Sequence, residues 1–112
     1  TYNSYMTVTS QRLEYLKTIL AEDADDSFVK YAIAKEYEKL NDLKTAIEKF
    51  ELLRKEDSEY VGLYYHLAHI YTEIDEIEKA LEIYDAGIKV AKAQNDLHAL
   101  SELMNARVNA EI

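Results

Sequence analysis

Apolar positions recur along almost the whole chain at spacings of three and four, the mark of helices that each bury one stripe. Leu13, Leu16 and Leu20 open the series after Ser10, which can cap a helix over 10–22. The acidic run Glu22–Asp26 ends it, and Asp26 or Ser27 can start a second helix carrying Phe28, Tyr31, Ile33, Ala34, Tyr37 and Leu40. Asn41-Asp42 breaks that helix, and Leu43, Ala46, Ile47, Phe50 and Leu53 continue on a third. After a turn at Asp57-Ser58, a fourth helix holds Leu63, Tyr64, Leu67, Ala68, Tyr71 and Ile74. Beyond Asp75 comes a fifth, with Ile77, Ala80, Leu81, Tyr84 and Ile88. Asn95-Asp96 separates a last helix with Leu97, Leu100, Met104 and Val108. The short links predict that neighbouring helices pack antiparallel.

A shift of 34 residues lays residues 27–60 over 61–94 without a gap. Tyr31 then meets Tyr65, Ile33 meets Leu67, Ala34 meets Ala68 and Tyr37 meets Tyr71. Ala46 meets Ala80, Phe50 meets Tyr84, and the breaker Asn41-Asp42 meets Asp75-Glu76. Small residues let two helices approach closely, and the aromatics fill the space beside them.

These residues resemble the tetratricopeptide repeat (TPR) family. Its repeats are helix pairs with a small residue and a Tyr on the first helix, and an Ala and an aromatic on the second. Those positions read Ala34, Tyr37, Ala46 and Phe50 in one repeat, and Ala68, Tyr71, Ala80 and Tyr84 in the next. The chain departs from the family pattern where Ser58 and Lys92 replace a customary proline, so both second helices are expected to end loosely or run long. Leu53 and Gly87 also stand where Ala is usual. The resemblance implies an all-α, right-handed α-solenoid of antiparallel helix pairs, similar to small bacterial TPR proteins. One domain over 10–112 is expected: repeats at 27–60 and 61–94, flanked by an N-terminal helix at 10–22 and a C-terminal capping helix at 95–111. Residues 1–9, polar and aromatic with Met6 among them, read as a disordered tail or one foreign to the native chain; a processed upstream segment would look the same.

Composition narrows the function classes. There is no proline and there are only two glycines, too few for the tight turns of sandwiches and barrels. With 13 Lys and Arg against 22 Asp and Glu, the formal net charge is −9. That balance works against nucleic acid and against an anionic membrane surface, both of which require clustered cations. No apolar run approaches a membrane span, and the first ten residues lack the basic-then-apolar order of a signal peptide. The absence of cysteine removes disulfides, thiolate catalysis and Cys-ligated zinc, and fits a reducing, cytoplasmic setting.

By the resemblance, the first helix of each pair lines a concave groove. The residues it assigns are Phe28, Tyr31, Lys35, Glu38 and Lys39, then Gly62, Tyr65, His69, Thr72 and Glu73. Aromatic rings flanked by mixed charge suit a peptide or helix of a partner protein, whose identity the residues do not encode. Phe28 and Tyr31 could instead pack on the N-terminal helix, and Gly62 is expected to leave a shallow pocket beside Tyr65. Chaperone-binding TPR domains hold a terminal carboxylate with Lys and Asn where this chain has Tyr31 and Lys35, so that clamp is absent. The partner-binding expectation therefore rests on Phe28, Tyr31, Lys35, Lys39, Tyr65, His69 and Glu73.

Other chemistry finds little support. His66, His69 and Glu73 share one helix, whereas a closed zinc site needs three or four converging ligands, so no metal and no cofactor are expected. His98 reads as solvent-facing. No phosphate loop, HExxH or nucleophile elbow occurs. Carboxylates such as Glu36, Glu38 and Glu48 read as solvated helix faces, and no catalytic activity is expected. The stripe Leu97, Leu100, Met104 and Val108, broadened by Leu103 and Ala110, is expected first to seal the second repeat. If part of it stays exposed, it becomes a surface for a homodimer or another partner, which makes self-assembly through the terminal helices the alternative function.

Overall fold

The computed structural model describes the backbone of residues 2–112 and the side chains of residues 11–112. Among the described residues six helices follow one another: α1 (Tyr2–Glu22), α2 (Ser27–Lys39), α3 (Leu43–Glu56), α4 (Gly62–Glu73), α5 (Ile77–Gln94) and α6 (Leu97–Glu111). The architecture is all-α, of paired helices in the solenoid class. The side chains of the tail expected over 1–9, and of the cap expected at Ser10, lie outside the described residues. The backbone there continues α1 back to Tyr2, with neither Pro nor Gly to stop it.

The chain divides into two compact units, Thr1–Leu53 and Arg54–Ile112. In the first, α1 packs on α2. Leu13, Leu16, Val29 and Ile33 form its buried cluster, and Ile19, Leu20, Ala32, Tyr37 and Leu40 pack against it partly buried. Ala34, Ala46 and Phe50 have no exposed surface, and the Tyr31 ring stands edge-on to Phe50 with centroids 6.2 Å apart. In the second unit α4 packs on α5, α5 on α6, and α4 also touches α6. Leu63, Tyr64, Leu67, Ala68, Ile70, Ala80, Ile83, Tyr84, Ala91 and Leu103 are buried within it.

A chain with two glycines still has to reverse, and it does so with Asn and Asp. Asn41, Asp75 and Asn95 adopt φ of 60°, 64° and 55°, the left-handed region that Asn and Asp tolerate best after glycine. At each, the next residue closes the helix end with a bond back across the last turn. Asp42 N–H donates to Tyr37 at 3.0 Å, Glu76 N–H to Tyr71 at 2.8 Å, and Asp96 N–H to Ala91 at 2.9 Å. Two of those three partner residues then cap the following helix: Asp42 accepts from Thr45 N–H at 3.3 Å and Asp96 from Ala99 N–H at 3.0 Å. Asp26 does the same for α2 through Val29 N–H at 3.2 Å. One dipeptide thus stops one helix and starts the next.

The missing prolines act differently in the two second helices. Helix α3 ends at Glu56, before Ser58, while α5 runs through Lys92 to Gln94 and stops only at left-handed Asn95. The glycine at 87 has a packing reason. A Cβ there would lie 2.5 Å from Tyr64 Cβ, 3.0 Å from Tyr64 Cγ and 3.2 Å from Leu103 Cδ1. Helices α4 and α6 both close onto this bare patch of α5, and the Tyr64 hydroxyl donates to the Ser58 carbonyl at the far end of its ring. Gly87→Ala is expected to destabilise by about 1–3 kcal/mol despite Ala's better helix propensity, because the clash is with a Cβ that cannot swing away. Thermal unfolding followed by circular dichroism checks this; an unchanged or raised Tm would contradict it.

Burial lifts the Tyr64 and Tyr84 hydroxyls above the ordinary tyrosine value of 10.0, with a hydrogen bond to Thr72 partly opposing it for Tyr84. The folded chain then holds these protons more firmly than the unfolded one. Their contribution is intact below pH 10 and falls as pH rises beyond it. Urea midpoints measured from about pH 8 to 11 should therefore decline above 10, and less steeply in Tyr84→Phe. An identical decline in that variant would mean that Tyr84 titrates freely.

Candidate functional site

Each unit presents a pocket built from residues singled out above, together with neighbours that the sequence did not suggest. In the first unit, Arg12 from α1 joins Phe28, Tyr31, Ala32, Lys35, Glu36 and Lys39 from α2 around a cavity of about 400 Å³. Phe28 does not pack away on α1; it is 65% exposed. Tyr31 is half-buried, anchored by its contact with Phe50, and Lys35 Nζ sits 5.0 Å from the centroid of its ring. That distance allows a cation–π contact that keeps the ammonium over the pocket.

Glu36 is a correction. Instead of lying on a solvated face it is 3% exposed, and Arg12 Nε and Lys39 Nζ approach its Oε2 at 3.4 and 3.5 Å. The signal was present in the spacing: Val29, Ile33, Glu36 and Leu40 fall at intervals of four, three and four, so the carboxylate stands in the stripe that faces α1.

In the second unit Tyr65, His69 and Thr72 of α4, Tyr84 of α5, and Glu102, Asn105, Ala106, Asn109 and Ala110 of α6 line a cavity of about 390 Å³. The Tyr65 and His69 rings stack at 6° with centroids 6.2 Å apart. His69 Nε2 lies 2.8 Å from Glu73 Oε1 one turn on, so Glu73 orients the imidazole without lining the cavity itself. Thr72 Oγ1 donates to the Ala68 carbonyl at 3.0 Å. Gly62 is not among the lining residues; the wall facing Tyr65 comes from α6. Glu102, Asn105 and Asn109 are spaced three and four apart, a polar stripe that sequence reading passed over in favour of the apolar one. Arg107 fixes this wall, with Nε 2.6 Å from Asp85 Oδ1 and Nη1 bonded to Glu111.

The apolar stripe of α6 also needs correcting. Leu103 alone of that helix is fully buried, against Gly87, and Leu100 is half-buried. Leu97, Met104 and Val108 do not seal the repeat: they are 68%, 49% and 58% exposed. Spacings of three and four describe a stripe wider than the strip of α4 and α5 it has to cover, so one edge is left outside. His66 meets the Tyr65 ring edge-on at 5.7 Å rather than converging with His69 and Glu73. Among the described residues no three His, Cys, Asp or Glu side chains are placed to hold a metal, and no metal- or cysteine-based catalytic group is present.

The profile of the tetratricopeptide repeat family matches residues 37–103. The chain belongs to the tetratricopeptide repeat family. It is similar to a TPR domain protein from Salinibacter ruber, solved by NMR, at 39% identity and a TM-score of 0.76 over 80% of this chain and 90% of that one. A crystal structure of the TPR domain protein from the same organism aligns at 40% identity and a TM-score of 0.74, over 77% of this chain and 97% of that one. The TPR2B domain of yeast Sti1, solved as a pHsp70 complex, shares the fold at 18% identity and a TM-score of 0.85, over 96% of this chain and 86% of that one. No curated protein matches significantly. Among the described residues no helix is long and apolar enough to cross a membrane.

Proposed function

We propose that this TPR chain is a protein–protein interaction scaffold that takes a peptide or helix of a partner protein, with Tyr31 and Lys35 serving on α2 and Tyr65 and His69 on α4. The observation that carries the reading is the stacked Tyr65–His69 pair facing the polar wall of α6 across an open cavity. Stacking and the Glu73 contact fix both rings before any ligand arrives, so little side-chain entropy is lost on binding. Phe28, Lys35 and Lys39 offer a second, independent patch on α2. Structural neighbours support the reading at the level of fold, since the Sti1 domain was solved with pHsp70 and the neighbour PcrH with the chaperone-binding region of PopD. The formal charge of −9 argues against nucleic acid, and the cysteine-free composition favours a cytoplasmic setting.

A second reading, self-assembly through α6, is favoured by the exposure of Leu97, Met104 and Val108. One experiment separates the two. In a tagged pull-down from lysate of the source organism, Tyr65→Ala with His69→Ala should recover the partner at least about fivefold less than the unmodified chain, since aromatic anchors dominate such surfaces. Its Tm should stay close to the parent value, because neither side chain is in the core. Equal recovery would move the site away from Tyr65 and His69, to the α2 patch or to α6, and a homodimer without other partners would favour self-assembly.

A further inference from the structure

The second unit's pocket is rich in acceptors and poor in cations. Glu102, Asn105 and Asn109 of α6 stand exposed at one wall, a carboxylate and two amide carbonyls open to an incoming donor. Thr72 on the lining already gives its hydroxyl proton to the Ala68 carbonyl at 3.0 Å, so its oxygen is left as an acceptor. His69 Nε2 lies 2.8 Å from Glu73 Oε1, and a neutral imidazole that donates there keeps an acceptor at Nδ1. Beside it the Tyr65 ring, stacked on His69, gives the site a flat aromatic element. Among the described residues no Lys or Arg lines the cavity, and Arg107 of the same helix is held by Asp85 and Glu111 instead.

A fitting ligand therefore brings several donors, positive charge and a flat face at once. The guanidinium of arginine combines all three: N–H donors in a rigid fork, no acceptor, a fixed charge and a plane that stacks on aromatic rings. A lysine ammonium has the charge without the plane. A carboxylate or phosphate would meet Glu102 and a chain of net charge −9. We propose that this pocket holds an arginine side chain from a basic segment of the partner protein. The guanidinium lies on the Tyr65 ring and donates side-on to the Glu102 carboxylate, while Asn105 and Asn109 accept its remaining N–H groups. The cavity of about 390 Å³ has room for such a side chain, and the acidity of the chain steers basic segments toward it. This inference rests on the partner-binding reading and names the ligand chemistry of the second unit's pocket.

The test is an amide NMR titration of the full chain in about 0.15 M salt, which screens its net charge. The probes are acetyl-Gly-Ser-Arg-Ser-Gly-amide and its counterparts with Lys or with citrulline, the uncharged isostere, in place of Arg. At about 5 mM peptide, where a millimolar site is mostly filled, the Arg peptide should shift the amides of Tyr65, His69 and residues 102–109. It should bind at least about threefold tighter than the Lys peptide, and the citrulline peptide should leave those amides unmoved. Glu102→Gln should weaken the Arg peptide about threefold to fivefold, the upper range for an exposed ion pair. Glu82→Gln removes the same charge from an exposed position outside the pocket and should change nothing. Equal binding of the Lys or citrulline peptide, equal effects of the two substitutions, or no shift at the pocket would each overturn the proposal. Both substituted side chains are exposed, and the peptide comparisons need no variant, so loss of folding does not blur the result. Failure here leaves partner capture through Tyr65 and His69 to the pull-down, which uses no arginine probe and registers contacts of any chemistry.

Discussion

Close approach of helices over small residues is the constraint on which the rest depends. In the second unit Ala68 and Ala80 have no exposed surface, and Gly87 leaves α5 so bare that the Cβ of Tyr64 comes to lie against its backbone. That contact brings Leu103 down beside Tyr64 and sets α6 where it stands. The position of α6 in turn supplies the polar wall opposite Tyr65 and His69. A methyl group at residue 87 would therefore act on the pocket as well as on stability, since interiors at crystal-like density pass strain to their neighbours. In the first unit Ala34 and Ala46 are buried in the same way, and Phe50 supports the Tyr31 ring from behind.

Much of this was legible in the residues because helix periodicity and repeat period are both local, additive signals. The recurrence of Ala, Tyr and an aromatic at 34 residues marked the helix pairs, and the Asn and Asp breakers marked their ends. What periodicity does not encode is which edge of a stripe its neighbours cover. Leu97, Met104 and Val108 fit a buried stripe as well as Leu103 does, yet only Leu103 meets the gap above Gly87. The extent of α1 was also illegible. Helix propensity over residues 2–10 carries no strong stop, and a polar, aromatic composition reads as a tail when no apolar stripe is visible.

The site residues divide along similar lines. Phe28, Tyr31, Lys35 and Lys39 come together in one pocket because they sit on one face of α2, a relation that spacing alone determines. Glu36 was misread because residue type outweighed position: a carboxylate on an acidic chain looks solvated even when it stands in line with Val29 and Ile33. Arg12 and the stripe Glu102, Asn105 and Asn109 reach their pockets from other helices, and no local pattern announces such a meeting. Within each unit these residues complete a cavity beside the aromatic rings, the first unit's rimmed by cations and the second's by amides and a carboxylate.

We propose that partners are held on the faces of α2 and α4 rather than on the exposed edge of α6. Amide hydrogen exchange of the chain, alone and saturated with a partner it recovers, tests this most directly. Added protection is expected in 27–39 and 62–73, with the segment 97–111 changing little. Protection confined to 97–111 would contradict it.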